Sequence, residues 1–192
     1  MSDIRTTSYE YDRFADRKRL DFISDTLKRF FPAAGHVLDV GCGNGVISRH
    51  LGNLGYDVVG IDVSEKTIEN ASARTSIPNV RFMKMSAEEL VSSGQKYDVV
   101  ICSEVLEHLT DPNALLAVLY SSLADNGKLI VTVPNGRGPR ELLVTRPLLH
   151  LRNRENWLWK LILKLKGSLG YKGTTAQSAA DNLDHIQFFS FK

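Results

Sequence analysis

The residues best placed to do chemistry begin in the stretch from Val37 to Gly45, where one carboxylate, Asp39, precedes glycines at positions 41, 43 and 45. Alternate glycines let a chain bend tightly, and they let a ligand lie directly against backbone N–H groups. A bare turn between a strand and a helix would use the same residues. Asp62 bears on the choice: it closes the next apolar run, roughly 20 residues further on, where a carboxylate can accept both hydroxyls of a ribose. It could equally be a solvated strand-end carboxylate that caps the following helix. The spacing is G-x-G-x-G, not the G-x-G-x-x-G that seats a dinucleotide pyrophosphate. The expected ligand is therefore a nucleoside without a diphosphate, and a nicotinamide dehydrogenase is the rival reading.

A second set follows at Glu104, Glu107 and His108. Positions i, i+3 and i+4 share a helix face, so a helix starting at Glu104 would bunch the three together. His108, with an ordinary pKa near neutrality, suits a pocket wall or a general base. A capping or packing histidine is the competing reading.

These groups need a scaffold, and the hydrophobic pattern supplies one. Helical spacing runs from Tyr9 to Phe31 and stops at Pro32 and Gly35. Apolar strands are then expected at Val37–Val40, Tyr56–Asp62, Asn79–Met85, Tyr97–Val105 and Gly127–Val133. Helical segments fall between them, one of them capped by Ser64. Strands that are almost continuously apolar and alternate with helices specify a parallel sheet covered on both faces, a doubly wound α/β fold.

Composition sets the outer limits. The chain has 192 residues, 43% of them hydrophobic, with a net charge of +2, too little to imply a nucleic-acid partner. Its two cysteines, Cys42 and Cys102, sit in apolar runs and form no disulfide framework, which fits a reducing cytoplasm. No signal-peptide pattern or uninterrupted apolar span is present.

The segments "VLDVGCGNG", "GIDVS", "MSAEEL", "YDVVICSEVLEHLTDP" and "LADNGKLIVTVPNG" stand in the order seen in class I S-adenosylmethionine-dependent methyltransferases, and the resemblance runs from Val37 to Gly136. It implies strand order 3-2-1-4-5 and S-adenosyl-L-methionine as cofactor. It also implies that Asp39 and the bend of Gly41, Cys42, Gly43 and Gly45 hold the methionine portion, with Asp39 near the ammonium. Asp62 and Val63 would meet the ribose side. Ser86 stands where relatives often carry an aspartate that contacts adenine, so recognition would lean on the Ala87 backbone. Cys102 and Ser103 would lie beside the methionine and the departing methyl. Methyltransferases acting on exocyclic base amines resemble one another in an Asn/Asp-Pro-Pro-aromatic run that is absent here. The nearest variants of "EVLEH" belong to quinone-biosynthesis O-methyltransferases, where the corresponding residues are implicated in divalent-metal binding. Similar runs also occur without a metal, and no metal is assigned here. His185 in "DHIQFFS" resembles a histidine that hangs over the acceptor site, or it is a surface residue opening a helix.

The expected organisation is one domain over 1–192: a helical cap over 1–35, a cofactor-binding core over 36–136, a basic helical lid or insertion over 137–183, and the opening of a last helix over 184–192. In the insertion, Arg137, Arg140, Arg146, Arg152, Arg154, Lys160, Lys164, Lys166 and Lys172 are opposed only by Glu141, Glu155 and Asp181. The stretch 155–166 is amphipathic, with Trp157, Leu158, Leu161, Ile162 and Leu165 on one face. It would serve as a lid or as a helix lying on an anionic membrane surface; an RNA-binding patch is less favoured, lacking a stacking platform. Since family members usually add two further strands beside the fifth, strands six and seven are expected to be missing from a shortened chain. The functional expectation is methyl transfer to a small-molecule or lipid-linked acceptor, on oxygen, in the cytoplasm or peripherally on the inner membrane face. The alternative is a non-catalytic cofactor-binding or partner module.

Overall fold

A computed structural model describes residues 11, 13–32 and 35–135 of the chain. Helix α1 spans Phe14–Phe30 and buries Leu20, Ile23 and Leu27, the i, i+3, i+7 stripe of an amphipathic helix. Asp16 in its first turn and Lys28 and Arg29 in its last complement the helix dipole. It starts later than the pattern suggested, with Tyr11 lying before it.

Strand β1 covers His36–Val40, α2 Val46–Asn53, β2 Asp57–Asp62, α3 Glu65–Ala73, β3 Val80–Lys84, α4 Ala87–Ser93, β4 Tyr97–Ser103, α5 Pro112–Ser121 and β5 Leu123–Thr132. The five strands are parallel in the order β3-β2-β1-β4-β5, as expected. Alternation sends Val37, Val58, Val99 and Ile101 to one face, against α1 and α2. Leu38, Val59, Ile61, Val100 and Cys102 go to the other, against Leu90 of α4 and Leu119 of α5. Both faces are covered, so every central strand must be apolar at consecutive positions.

Each helix start has a chemical cause. Ser64 accepts from Thr67 N at 3.3 Å, and Asp111 accepts from Asn113 N and Ala114 N ahead of Pro112. Ser86 and Glu89 form a reciprocal capping box on α4. Strand β5 begins before the expected Gly127: Tyr97 pairs with Leu123, the ladder then slips, and Val99 resumes with Lys128. Asn126, at φ 64°, turns the extra residues out, a conformation that asparagine tolerates.

The order reverses between β1 and β4, and ligands of doubly wound folds bind at such a switch point, beyond the carboxyl ends of the strands. The bend after β1 stands there. Among the described residues, no helix is long and apolar enough to cross a membrane. The basic segment 137–183, the amphipathic stretch 155–166, the expected helix over 184–192 and His185 lie outside the described residues, as does any strand beyond β5.

Candidate functional site

The bend is held by hydrogen bonds on both sides. Gly41 N and Cys42 N both donate to Ile61 O of β2, at 2.8 and 3.0 Å, so the β1–β2 ladder runs into the turn. Gly45 N then donates to Cys42 O at 2.9 Å, and Arg49 N to Gly45 O at 2.9 Å, which starts α2. Gly41, Gly43 and Gly45 have φ values of 70°, 54° and 76°, the left-handed region that L side chains resist. The protein's own side chains also crowd the bend. A Cβ on Gly41 would collide with the Cγ2 methyl of Val105, and one on Gly45 would stand 2.6 Å from Phe82 Cε1. The sequence suggested room for a ligand; at Gly41 and Gly45, Val105 and Phe82 already fill the space.

Asp62, at the end of β2, binds two backbone N–H groups. Its Oδ2 accepts from Gly43 N at 3.2 Å, which brings the carboxylate to the bend, and its Oδ1 accepts from Ser64 N at 2.9 Å, at the start of α3. Each oxygen takes one N–H and keeps a lone pair for a hydroxyl. The neighbouring Val63 is 70% exposed, an apolar side chain left in the open beside that carboxylate.

Asp39 behaves differently. It is 1% exposed, and Ser48 Oγ donates to its Oδ2 at 2.6 Å. Burial pushes its carboxyl up to about 6, partly offset by the hydrogen bonds from Ser48, with the charge of Asp62 adding to the rise. Asp39 thus braces the start of α2 from behind the bend. Cys42 is buried, and burial pushes its thiol well above the usual range, so it supplies no thiolate.

Ser86 spends its side chain on the α4 cap, and Ala87 is the first residue of that helix. The Cys102 side chain is fully buried in the second apolar cluster, its thiol raised to about 12 by burial. Only its backbone belongs to the rim. Ser103 is 6% exposed and bonds Thr132 Oγ1 at 2.8 Å.

The helix expected to bunch Glu104, Glu107 and His108 does not form. Glu104 leaves β4 with φ 58°, a left-handed residue that breaks any helical start, and only a single 3₁₀ turn, Leu106–His108, follows. Glu104 turns to Arg19 Nη1 at 3.2 Å and to the Thr132 hydroxyl at 3.3 Å. Glu107 is 1% exposed, and His108 Nε2 lies 3.9 Å from its Oε1. Burial raises its carboxyl to about 7, with Glu104 adding to the rise. Among the described residues, no three His, Cys, Asp or Glu side chains are arranged to hold a metal.

Three contributors escaped the sequence reading. Phe82 walls Gly45 and Gly60. The clue was an aromatic residue in β3 level with a glycine of β2, the pair that the register confirms. Arg49 is 5% exposed and donates to Asn44 O at 2.7 Å, clamping the bend; an arginine inside the apolar start of α2 was its signal. Arg19 had no local signal, because its partner Glu104 is distant in sequence.

A covered parallel sheet with a glycine bend at its switch point and a carboxylate on the next strand places the chain among the doubly wound α/β proteins. The chain belongs to a methyltransferase-domain family, whose pattern it matches over residues 11–191. It is 35% identical over 128 residues to the ubiquinone biosynthesis O-methyltransferase of Azorhizobium caulinodans, covering 61% of this chain and 51% of that protein. Among solved structures it resembles the PH0226 protein of Pyrococcus horikoshii, with a TM-score of 0.54 and 28% identity over 69% of this chain and 66% of that one. It also resembles the magnesium protoporphyrin IX methyltransferase of Synechocystis, solved with bound S-adenosylmethionine: TM-score 0.50, 29% identity, 56% of this chain and 54% of that one. The chain spans about half the length of the curated relatives it matches.

Proposed function

We propose that the chain binds S-adenosylmethionine and transfers its methyl group to an oxygen of a small-molecule acceptor. The observation that carries this reading is the meeting of Asp62 with Gly43 at 3.2 Å. A carboxylate with spare lone pairs and an exposed apolar neighbour, Val63, fits a ribose that carries a flat base. When bound, the cofactor supplies an electrophilic methyl on a good leaving group. The protein's task is then alignment, which can supply several kcal/mol, up to about 7–11 in favourable cases.

In this reading the bend and Asp39 hold the amino-acid end, Asp62 orients the sugar, and Ala87 and Ser103 border the base and the methyl. His108 stands on the turn after β4 with its side chain 19% exposed. It takes the proton that a hydroxyl acceptor gives up, and His185 is a second candidate for the acceptor side. The relatives named as O-methyltransferases of ubiquinone biosynthesis favour oxygen, and that named role supports a lipid-linked acceptor as the finer proposal. Membrane contact through 155–166 belongs with it. Deleting that stretch should lower co-sedimentation with anionic liposomes; equal partition of both forms would reject the contact.

Calorimetric titration tests the core of the proposal: binding of S-adenosylmethionine but not NAD(H) is expected, and the reverse preference would end it. Release of S-adenosylhomocysteine across an acceptor panel then separates an enzyme from a binding module. Asp62→Ala should weaken cofactor binding by roughly 1–3 kcal/mol, the loss expected for hydrogen bonds to a charged group. An unchanged Kd would remove Asp62 from the site.

A further inference from the structure

Glu104 is one of two non-glycine residues with positive φ among those described, at 58°. A left-handed glutamate persists only where its surroundings hold it. Here they hold it at three points. Its backbone N–H donates to Thr132 O at 2.9 Å, its Oε1 accepts from the Thr132 hydroxyl at 3.3 Å, and its Oε2 lies 3.2 Å from Arg19 Nη1. A carboxylate only accepts, so the single Thr132 proton goes to Glu104, and the Ser103 hydroxyl must donate to Thr132 across their 2.8 Å contact.

Arg19 is itself fixed. Its Nη2 donates to Asp16 at 3.0 Å, and its guanidinium lies 6.0 Å from the centre of the Tyr11 ring. The side chains of Arg19 and Glu104 are 13% and 23% exposed, which shields the pair from solvent more than a surface ion pair. The turn at Glu104 has a direct consequence, because it lays Val105 on Gly41, with a valine methyl where a Gly41 Cβ would stand. One line of contact therefore runs from α1 through Arg19, Glu104 and Val105 to the first glycine of the bend.

We propose that Arg19 and Glu104 form a positioning pair through which docking of α1 sets the glycine bend for cofactor binding, an inference that rests on the S-adenosylmethionine reading above. Without Arg19, Glu104 loses its counter-charge beside Glu107, the left-handed turn relaxes, and Val105 no longer bears on Gly41. In this arrangement each residue acts through the next.

The test uses the full chain with Arg19→Met, the near-isosteric Glu104→Gln, the double variant, and Lys18→Met as a control on an exposed neighbour in α1. Two readouts are taken: the Kd for S-adenosylmethionine, and hydrogen exchange of the amides from Gly41 to Gly45 without ligand. Each single variant should raise Kd about 10-fold and speed exchange at the bend. The double should be no worse than the more damaging single, and Lys18→Met should stay within about twofold of wild type. Unchanged Kd and exchange in both singles would overturn the pair, as would losses that multiply in the double or tighter binding in Arg19→Met. If Arg19→Met fails to fold, Glu104→Gln decides on the same readouts. A wild-type chain that binds no S-adenosylmethionine ends the parent reading, while the exchange data still judge whether α1 sets the bend.

Discussion

Gly41→Ala is expected to lower the unfolding free energy by about 2–4 kcal/mol in chemical denaturation, while Gly94→Ala loses only about 1 kcal/mol. Both positions are left-handed, with φ values of 70° and 64°, so both carry the conformational penalty of an L side chain. They differ in space. A Cβ at Gly94 meets nothing within 4 Å, whereas one at Gly41 runs into the Cγ2 of Val105, with Val105 Cβ only 3.6 Å away. Valine has little rotamer freedom with which to yield, so the overlap must push the β4 rim away from the bend. Combining Gly41→Ala with Val105→Ala removes the obstructing methyls and should recover about half of the loss, leaving the penalty shared with Gly94→Ala. Equal losses at Gly41 and Gly94, or no recovery in the double variant, would show that Val105 does not close the bend.

That contact also marks how far the sequence could be read. The doubly covered parallel sheet followed from apolar strands alternating with helices, since both faces of such a sheet must be covered, while its strand order came from the family resemblance. The bend and Asp62 were legible from their placement in the pattern: alternate glycines after an apolar strand, and a carboxylate closing the next one. The Ser64 cap was legible from its place just ahead of a helical pattern. The cluster at Glu104, Glu107 and His108 was misread because helical spacing was assumed where one left-handed residue intervenes, and positive φ at a glutamate leaves no mark in composition. What fills the space around the glycines was hidden as well. Phe82 reaches the bend from β3 and Val105 from the turn after β4, and Arg19 reaches Glu104 from the first helix. Contacts of that kind depend on tertiary placement, which periodicity does not encode.

Asp39→Asn should make the protein more stable at pH 8 and a poorer binder of S-adenosylmethionine. Burial holds the Asp39 carboxyl at about 6 against an ordinary 3.8, so the folded chain keeps this proton over a range where the unfolded chain has lost it. Native protein then binds more protons than unfolded protein between pH 4 and 6, and stability must fall as pH rises through that window. The ionised carboxylate costs on the order of 3 kcal/mol once the pH exceeds 6. Glu107, raised to about 7, adds a fall of the same sign reaching to slightly higher pH, and Glu107→Gln as a background isolates the Asp39 share. Asparagine cannot ionise but can still accept from the Ser48 hydroxyl. The variant should therefore match wild type near pH 4, exceed it by roughly 1–3 kcal/mol at pH 8, and lose most of the slope between. In the proposed reading, so costly a charge behind the bend acts on the cofactor through its field. The methionine end of the proposed cofactor carries a cationic ammonium, and removal of the Asp39 charge should raise Kd by about 10-fold or more. Denaturation curves from pH 4 to 8 and calorimetry at pH 8 check the two halves separately: a less stable variant at pH 8 would overturn the assignment of a buried, strained carboxylate, and an unchanged Kd would confine Asp39 to bracing α2.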